Sequence, residues 1–286
     1  MIEYIKMIVI ALVSGITMPL PTSSAAHYSI LSYAMNFMGD ARELGFYYSV
    51  FGIAFSVVIF IMLRKIYIKS IKALFIRDKK KLAANKLTAY KPIVKNMLIS
   101  IIPMAVLFIP VAKDTLVMDY FDKFLTADSI YLVGVASVIN ALILVVAIWY
   151  TRQKANELKR VSDTRGTLRM AVYQVVSYVV PGFSHISSGS VNMLITDVNP
   201  RVIIREVYLY LAPHMFIVSV VKVVRALVND VIVDVVPLAI ATVLFTLAAF
   251  LMVHLVGKFG IRKLFSFFAV YSALIGALAV GVTFII

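Results

Sequence analysis

Long apolar runs dominate this sequence, at residues 46–63, 131–150, 237–256 and 264–286. Each run approaches or exceeds the roughly 20 residues that an α-helix needs to cross a bilayer. Hydrophobic residues make up 62% of the chain and charged residues only 15%, a composition far more apolar than that of soluble domains. We therefore predict an all-α fold, a polytopic membrane helical bundle that forms a single integral membrane domain over residues 1–286.

Basic residues are concentrated in segments between the apolar runs. Residues 64–95 carry eleven Lys and Arg against one acid, and residues 151–169 carry six against two. A short segment, 257–263, adds three basic residues, whereas segments 113–128 and 229–234 are biased toward acids. By the positive-inside rule, the basic segments are predicted to be cytoplasmic loops, and the acidic segments and the C-terminus to face outward. Membrane topology, and not nucleic-acid binding, thus explains the net charge of +14.

Two apolar stretches contain residues that break helices. The first reads SGITMPLPTSSAAH over residues 14–27, and the second reads PGFSHISSG over residues 181–189. Proline removes a backbone donor and glycine lowers helix propensity, so Pro19, Pro21, Pro181 and Gly182 are predicted to interrupt their helices. Irregular backbone survives at membrane depth only where protein or a wet cavity satisfies it. We predict two re-entrant, broken helix pairs that meet at a shared polar pocket.

The breaks occupy matching places in two halves of the chain, about 1–128 and 129–286. Pro21 and Pro181 each precede a long apolar span by the same number of residues, and spans with a basic segment follow in each half. Broken segments at corresponding positions are typical of the binding site in inverted-repeat membrane proteins. We therefore expect an inverted repeat with a central binding site.

The predicted pocket combines hydroxyl groups, histidines and the free backbone amides of restarting helices. These groups favour an anion, and phosphate is the anion we expect. A pocket that opens to lipid indicates a phosphorylated lipid head group. The hydroxyl and histidine side chains of the two breaks are Thr17, Thr22, Ser23, Ser24, His27, Ser184, His185, Ser187, Ser188 and Ser190.

At these residues the sequence resembles the undecaprenyl-diphosphate phosphatases, the bacitracin-resistance family. Residues 14–27 are similar to that family's signature E-G-x-T-E-F-L-P-x-S-S-T-G-H, and the second break is similar to its P-G-x-S-R-S-G-x-T. The resemblance is collinear and extends to residues 101–103, to NPRVIIREVYLYLAP at 199–213 and to the terminal FFAVYSALIGALAV. Family members remove the terminal phosphate of undecaprenyl diphosphate outside the bacterial membrane, which recycles the carrier lipid for peptidoglycan synthesis.

The resemblance implies a multi-pass protein of the bacterial inner membrane with an outward-facing site. Its implied partners are polyprenyl (undecaprenyl) diphosphate or phosphate and membrane lipid, and a homodimer is left open. The candidate catalytic residues are His27 and Ser24, which match the family pattern, and His185, which enters through a metal-free alternative. The candidate substrate-binding residues are Ser23, Gly182, Ser184 and Arg201, which match the family pattern, and the pocket residues Thr17, Ser187 and Ser188.

Three positions depart from the family pattern. Ser14 and Met18 occupy the places of two glutamates that the resemblance would assign to divalent-metal binding and catalysis, and His185 replaces an arginine expected to hold phosphate. Neither serine nor methionine replaces a carboxylate as a ligand of Mg²⁺ or Ca²⁺. Glu206, a carboxylate within a span, then becomes the candidate metal ligand. An alternative without metal pairs His27 with His185 as nucleophile and acid.

Each candidate also has a purely structural interpretation. The hydroxyls could satisfy helix ends or line a close helix interface, and Glu206 could pair with Arg201 or Arg205. His27 could be a hydrogen-bonded core residue, and His185 could simply fill the space of the arginine. The tyrosines expected to face lipid or the membrane interface are Tyr47, Tyr48, Tyr208 and Tyr210.

Three functions remain open from the sequence. The first is hydrolysis of a polyprenyl diphosphate, and it predicts phosphate release. The second is a catalytically silent carrier or transporter of polyprenyl phosphate, which predicts lipid binding without hydrolysis. The third is a regulatory membrane protein, for which pocket substitutions would be silent and substitutions in the basic loop would not.

Overall fold

The computed structural model describes residues 2–37, 40–113, 115–126, 129–153, 163–199, 202–259 and 264–284. Arg201 lies outside the described residues, as does much of the predicted basic loop 151–169. The described part is almost entirely helical, and its strands form one small antiparallel ribbon. The prediction of an all-α membrane bundle is confirmed.

The elements are helices of very different length, with short 3₁₀ turns between some of them. The 3₁₀ helices cover Thr88–Tyr90, Ile102–Phe108 and Val117–Asp119. In chain order the α-helices and strands are α1 (Ile2–Thr17), α2 (Ser24–Ala34), α3 (Ala41–Met62), α4 (Arg64–Phe75), α5 (Lys79–Ala84), α6 (Lys91–Ile101), β1 (Pro110–Ala112), β2 (Thr115–Leu116), α7 (Tyr120–Lys123), α8 (Ile130–Gln153), α9 (Thr164–Val179), α10 (His185–Ile195), α11 (Ile203–Val228), α12 (Val235–Phe259) and α13 (Leu264–Val282).

Six helical stretches in the described chain are long and apolar enough to cross a membrane. The four apolar runs of the sequence correspond to α3, α8, α12 and α13, and α11 is the fifth stretch. The sixth, Thr88–Phe108, contains α6 and begins inside the segment that was predicted to be a basic loop. The pairs α1/α2 and α9/α10 are too short to span and turn back at the two predicted breaks.

The order of elements recurs in two units. The pair α1/α2 is followed by three spans that end with α8, and the pair α9/α10 is followed by α11, α12 and α13. Packing follows the same order, because α3 contacts α11 and α8 contacts α13, while α1 contacts α12 and α9 contacts α6. An odd number of spans in each unit inverts the second unit relative to the first. In this order the first unit ends with α8 and the second begins with α9.

Two glycines bring the last helices of the two units into close contact. A Cβ atom on Gly134 of α8 would lie 2.6 Å from the carbonyl oxygen of Gly276, and one on Gly276 of α13 would lie 2.7 Å from that of Gly134. A side chain at either position would push the helices apart. Such close approach is typical of membrane helices, where packing and not water exclusion drives association.

The basic segment 64–95 is folded against the bundle and is not an open loop. Helix α4 buries Tyr67, Ser70 and Ala73 on one face, and the Tyr67 hydroxyl donates to the carbonyl oxygen of Leu209 on α11, at 2.9 Å. Polar contacts of this kind fix an amphipathic helix at the end of a span. Within the basic segment, α4 is therefore a helix that packs against α11.

The expectation that four tyrosines face lipid is also wrong. All four rings are buried, since the bundle offers each hydroxyl a hydrogen-bond partner. The buried tyrosines and their partners are Tyr47 with Glu43, Tyr48 with Ser24, Tyr208 with the carbonyl oxygen of Pro19, and Tyr210 with Glu206.

Candidate functional site

The first break is a short non-helical segment between α1 and α2. Helix α1 ends at Thr17, and Pro19 and Pro21 follow, neither of which can donate a backbone hydrogen bond. Ser23 then starts α2 as its N-cap, with its Oγ accepting from the backbone N–H of Ala26 at 3.1 Å. The predicted interruption at the two prolines is confirmed.

The second break depends on Gly182. Its φ angle is +111°, and a Cβ atom there would lie 2.4 Å from the carbonyl oxygen of Val133 on α8. Both the backbone conformation and the available space therefore require glycine. Ser184 starts α10 as its N-cap, and its Oγ accepts from the backbone N–H of Ser187 at 3.1 Å. The two breaks thus use the same serine cap.

The two breaks meet inside the bundle. The Oγ atom of Ser184 lies 3.5 Å from the carbonyl oxygen of Leu20, and the Tyr208 hydroxyl on α11 donates to the carbonyl oxygen of Pro19. We call residues 17–27 and 180–190 together the junction. Helices α2 and α10 both begin in it, so the partial positive charge of two helix N-termini is directed into one buried region.

His27 lies on α2 with both ring nitrogens hydrogen-bonded. Nδ1 is 2.6 Å from the carbonyl oxygen of Ser23, and Nε2 is 2.8 Å from the hydroxyl of Tyr271 on α13. A carbonyl oxygen only accepts, so Nδ1 carries the proton in the neutral ring. Nε2 then holds a lone pair and accepts from Tyr271. This nitrogen can act as base or nucleophile once the tyrosine hydroxyl moves away.

The serines of the first break have defined partners. Ser24 Oγ is 2.6 Å from the hydroxyl of Tyr48 on α3, and Ser272 Oγ on α13 donates to Thr22 Oγ1 at 3.1 Å. Thr17 donates back to the carbonyl oxygen of Val13 at 2.9 Å. Among these side chains, Ser24 is the one that connects the junction to α3.

His185 is the first residue of α10, and its ring contacts Tyr178, which belongs to a chain of hydrogen-bonded side chains. Its ring centroid is 4.3 Å from that of Tyr178, whose hydroxyl lies 3.0 Å from Nδ1 of His214. His214 Nε2 is 2.9 Å from Gln174 Oε1, and Gln174 Nε2 donates to the carbonyl oxygen of His185 at 3.3 Å. The bond from Gln174 Nε2 fixes the orientation of the Gln174 amide, so its Oε1 accepts from the Nε2–H of His214. His214 Nδ1 then accepts from the Tyr178 hydroxyl. His214 is therefore a structural residue that supports His185 through Tyr178 and Gln174.

Several buried polar atoms of this region have no hydrogen-bond partner. They are the hydroxyls of Ser14, Ser187 and Ser190 and the Nδ1 atom of His185. A buried polar atom without a partner costs about 1–3 kcal/mol, so a group of them indicates a site for a polar ligand or water. By contrast, Ser188 is satisfied by Ser177 at 2.8 Å.

Two adjacent cavities lead to His185. The deep cavity has a volume of about 20 Å³, the space of about one water molecule, and is lined by Tyr48, Phe121, Tyr178, His185, Ser219 and Lys222, among others. The mouth cavity, of about 170 Å³, is lined by Arg42, Gly45, Asp119, Asp122, Lys123, Lys222 and Arg225, among others. Lys222 belongs to both walls. The wall of the deep cavity contains His185 of the second break and Tyr48, whose hydroxyl is bonded to Ser24 of the first break.

Charge at the mouth is organised in ion pairs between α11 and the segment around α7. Lys222 Nζ lies 2.5 Å from Asp122 Oδ1, and an Arg225 guanidinium nitrogen lies 3.1 Å from Asp119 Oδ2. Burial raises the pKa of Asp122, and nearby Asp119 adds to this, whereas Lys222 opposes it. Asp122 thus depends on Lys222 to remain charged.

Glu206 has protein partners at both carboxylate oxygens. One carboxylate oxygen accepts from the Arg205 guanidinium at 3.2 Å, and the other accepts from the Tyr210 hydroxyl at 3.1 Å. The contact with Arg205 is the ion pair of the structural interpretation. No group of three or more His, Cys, Asp or Glu occurs among the residues that the structure describes. Mg²⁺ and Ca²⁺ require several oxygen ligands that usually include carboxylates, and Ser14 and Met18 supply none. The described junction therefore does not fit either cation.

Sequence reasoning missed the residues that surround the predicted ones. Tyr271, Tyr178 and Gln174 position the histidines, and Lys222 lines the cavities from the far end of α11. The only sequence signal for Lys222 was a charge near the end of an apolar span. The tyrosines gave no signal, because an apolar sequence does not distinguish an aromatic ring in the core from one in lipid.

Comparison with known proteins agrees with the architecture. A search of curated protein sequences gives no match. Residues 7–278 match the family described as bacitracin resistance protein BacA, a match that includes both breaks and all six candidate spans apart from the last residues of α13. The predicted family resemblance is confirmed, and the chain is a multi-pass membrane protein that belongs to the bacitracin resistance protein BacA family.

Proposed function

We propose that this protein binds the phosphate head group of a polyprenyl carrier lipid at the junction. The observation that carries this proposal is the convergence of two helix N-termini on a buried region with unpartnered polar atoms. Half-helix N-termini are a recurring way to bind anionic groups at membrane depth. The hydroxyl of Ser187 and Nδ1 of His185 are the free groups closest in sequence to the start of α10.

The substrate class follows from the family and from the surroundings of the junction. An undecaprenyl-diphosphatase-like function is what membership of the BacA family implies. A head group bound between broken helices also leaves its isoprenoid chain free to extend into lipid. We therefore propose undecaprenyl diphosphate or undecaprenyl phosphate as the ligand.

The direction of access follows from charge. The mouth cavity lies where the acid-biased segments 113–128 and 229–234 meet the bundle, and the basic segments lie at the opposite ends of the spans. By the positive-inside rule, this arrangement supports an outward-facing mouth in the bacterial inner membrane.

Hydrolysis of the terminal phosphate is the second candidate function, and the geometry of His27 favours it. Its Nε2 lone pair can take a proton from water as the water oxygen attacks the terminal phosphorus. The P–O bond to the lipid monophosphate then breaks, giving inorganic phosphate and undecaprenyl phosphate. The junction offers no carboxylate pair for a divalent cation, which favours binding or translocation without hydrolysis.

One experiment separates these functions. Purified protein is given undecaprenyl diphosphate with Mg²⁺, Ca²⁺ or EDTA, and released phosphate is measured together with calorimetric binding of undecaprenyl phosphate. His27→Ala and Glu206→Ala are compared with His254→Ala, a histidine exposed on α12. Binding without release supports a carrier, and release that only His27→Ala abolishes supports hydrolysis. Absence of both binding and release would refute the proposed function.

A further inference from the structure

The two cavities follow one another along α11 and share Lys222 in their walls, and we call them together the path to His185. The deep cavity is lined on α11 by Met215, Val218, Ser219 and Lys222, and the mouth cavity by Lys222, Arg225, Ala226 and Asn229. These residues recur every three or four positions, so they occupy one face of the helix. Helix α3 forms the opposite wall.

Two glycines on α3 keep this path narrow. A Cβ atom on Gly52 would lie 2.4 Å from Ser219 Oγ, and one on Gly45 would lie 2.3 Å from the carboxyl carbon of Asp122. The absence of side chains here lets α11 and Asp122 approach α3 closely. Lys222 and Asp122 are consequently only 11% and 15% exposed.

Segment α7 covers the path at the level of Lys222. Its Phe121 ring lies 5.3 Å from the Tyr48 ring by centroids, and the Lys222 Nζ atom lies 5.0 Å from the Phe121 centroid. The same segment supplies Asp122, the anion that pairs with Lys222. Asp122 of α7 therefore holds Lys222 at the boundary of the deep cavity, and α7 is also the segment that covers the path.

A phosphate group bound beside His185 needs a compensating positive charge. Hydroxyls and helix N-termini alone leave a doubly charged anion poorly compensated in a low-dielectric region. His185 is there, and Lys222 adds a side-chain ammonium group to that wall. A lysine ammonium on its flexible stem can change partners by rotating about its side-chain bonds.

We propose that Lys222 is the cation that binds the lipid phosphate, and that Asp122 is its resting partner, which the phosphate displaces. This inference rests on the proposed function. When Lys222 binds the phosphate, the Asp122 carboxylate loses its counterion, and the free-energy cost of burying it rises. The ion pair that joins α7 to α11 is then broken, so α7 packs less firmly against α11. Ligand entry and opening of the cover are then the same event.

Opposite effects of the two partners test this exchange. Lys222→Gln removes the cation, and binding of undecaprenyl phosphate is expected to weaken about tenfold to a hundredfold. Asp122→Asn removes the competitor, and binding is expected to tighten about threefold to tenfold. Lys222→Arg keeps the charge and is expected to retain most of the affinity.

Asp119→Asn is the matched control, because it removes the second ion pair of the same mouth. Its partner Arg225 lines the mouth cavity but not the deep cavity, so binding is expected to change less than twofold. Affinity is measured by calorimetry in detergent for undecaprenyl phosphate and, separately, for inorganic phosphate. Binding of the lipid alone identifies a lipid head group as the source of the phosphate, and binding of both identifies a site for free phosphate as well.

The outcomes separate this inference from the proposed function. Failure of the unmodified protein to bind either probe overturns the proposed function and this inference with it. Normal binding by the unmodified protein, together with weaker binding by both Lys222→Gln and Asp122→Asn, overturns only the exchange, because a purely structural ion pair behaves in that way. Equal tightening by Asp119→Asn and Asp122→Asn also overturns it, since only net charge would then matter. A gain of affinity in Asp122→Asn cannot result from misfolding.

Discussion

Replacing Gly182 by alanine should destabilise the bundle strongly. A φ angle of +111° costs an L-residue of the order of 1–3 kcal/mol. The added Cβ atom would also lie 2.4 Å from the carbonyl oxygen of Val133 and 2.7 Å from Ala136 Cβ, and overpacking of this kind costs about 1–3 kcal/mol more. The free energy of unfolding should therefore fall by about 2–6 kcal/mol.

Thermal unfolding followed by circular dichroism in detergent measures this effect. A loss of that size should lower the apparent Tm by roughly 5–15 °C. Gly257→Ala on α12 is the matched control, because nothing lies within 4 Å of its Cβ position. Alanine there should raise stability by about 0.5–1 kcal/mol, as in other helix interiors. Equal stability of the two variants would refute the account of the second break.

Three further predictions follow from individual contacts. Tyr271→Phe removes the hydroxyl that occupies Nε2 of His27 and should raise the rate of any His27-dependent phosphate release, measured under single-turnover conditions; an unchanged rate would mean that this bond does not restrain the nitrogen. Gly52→Ala should lower the free energy of unfolding by about 1–3 kcal/mol, and adding Ser219→Ala should recover part of that loss in the same melting assay. Because burial raises the pKa of Asp122, its protonation on acidification should release its lysine partner, so binding of undecaprenyl phosphate should tighten as pH falls more steeply in the unmodified protein than in Asp122→Asn; identical pH profiles would contradict this assignment.

Sequence reasoning located the breaks because their chemistry is local. Prolines and a glycine interrupt helices wherever they occur, and a serine at the restart can cap its own helix without help from distant residues. For this reason Ser23, Ser184 and Gly182 have local roles in the structure that are legible in the sequence. The apolar runs were equally clear because span length is set by the bilayer.

The rest of the site could not be read from the sequence because it depends on packing between distant helices. Ser24 meets Tyr48, and His27 meets Tyr271, through contacts between residues far apart in the chain. The contact between α8 and α13 is likewise visible only in the packed structure. For Glu206, the sequence showed a carboxylate within a span, and the structure adds its contacts with Arg205 and Tyr210.

The most direct test of a phosphate-binding junction is photo-crosslinking with an undecaprenyl phosphate analogue that carries its reactive group beside the phosphate. The labelled peptides are identified by mass spectrometry after illumination in detergent or nanodiscs, with unlabelled undecaprenyl phosphate as competitor. The account predicts competitor-sensitive labelling within residues 17–27 and 180–190. Labelling confined to the lipid-facing surfaces of α12 and α13, with neither break labelled, would contradict it.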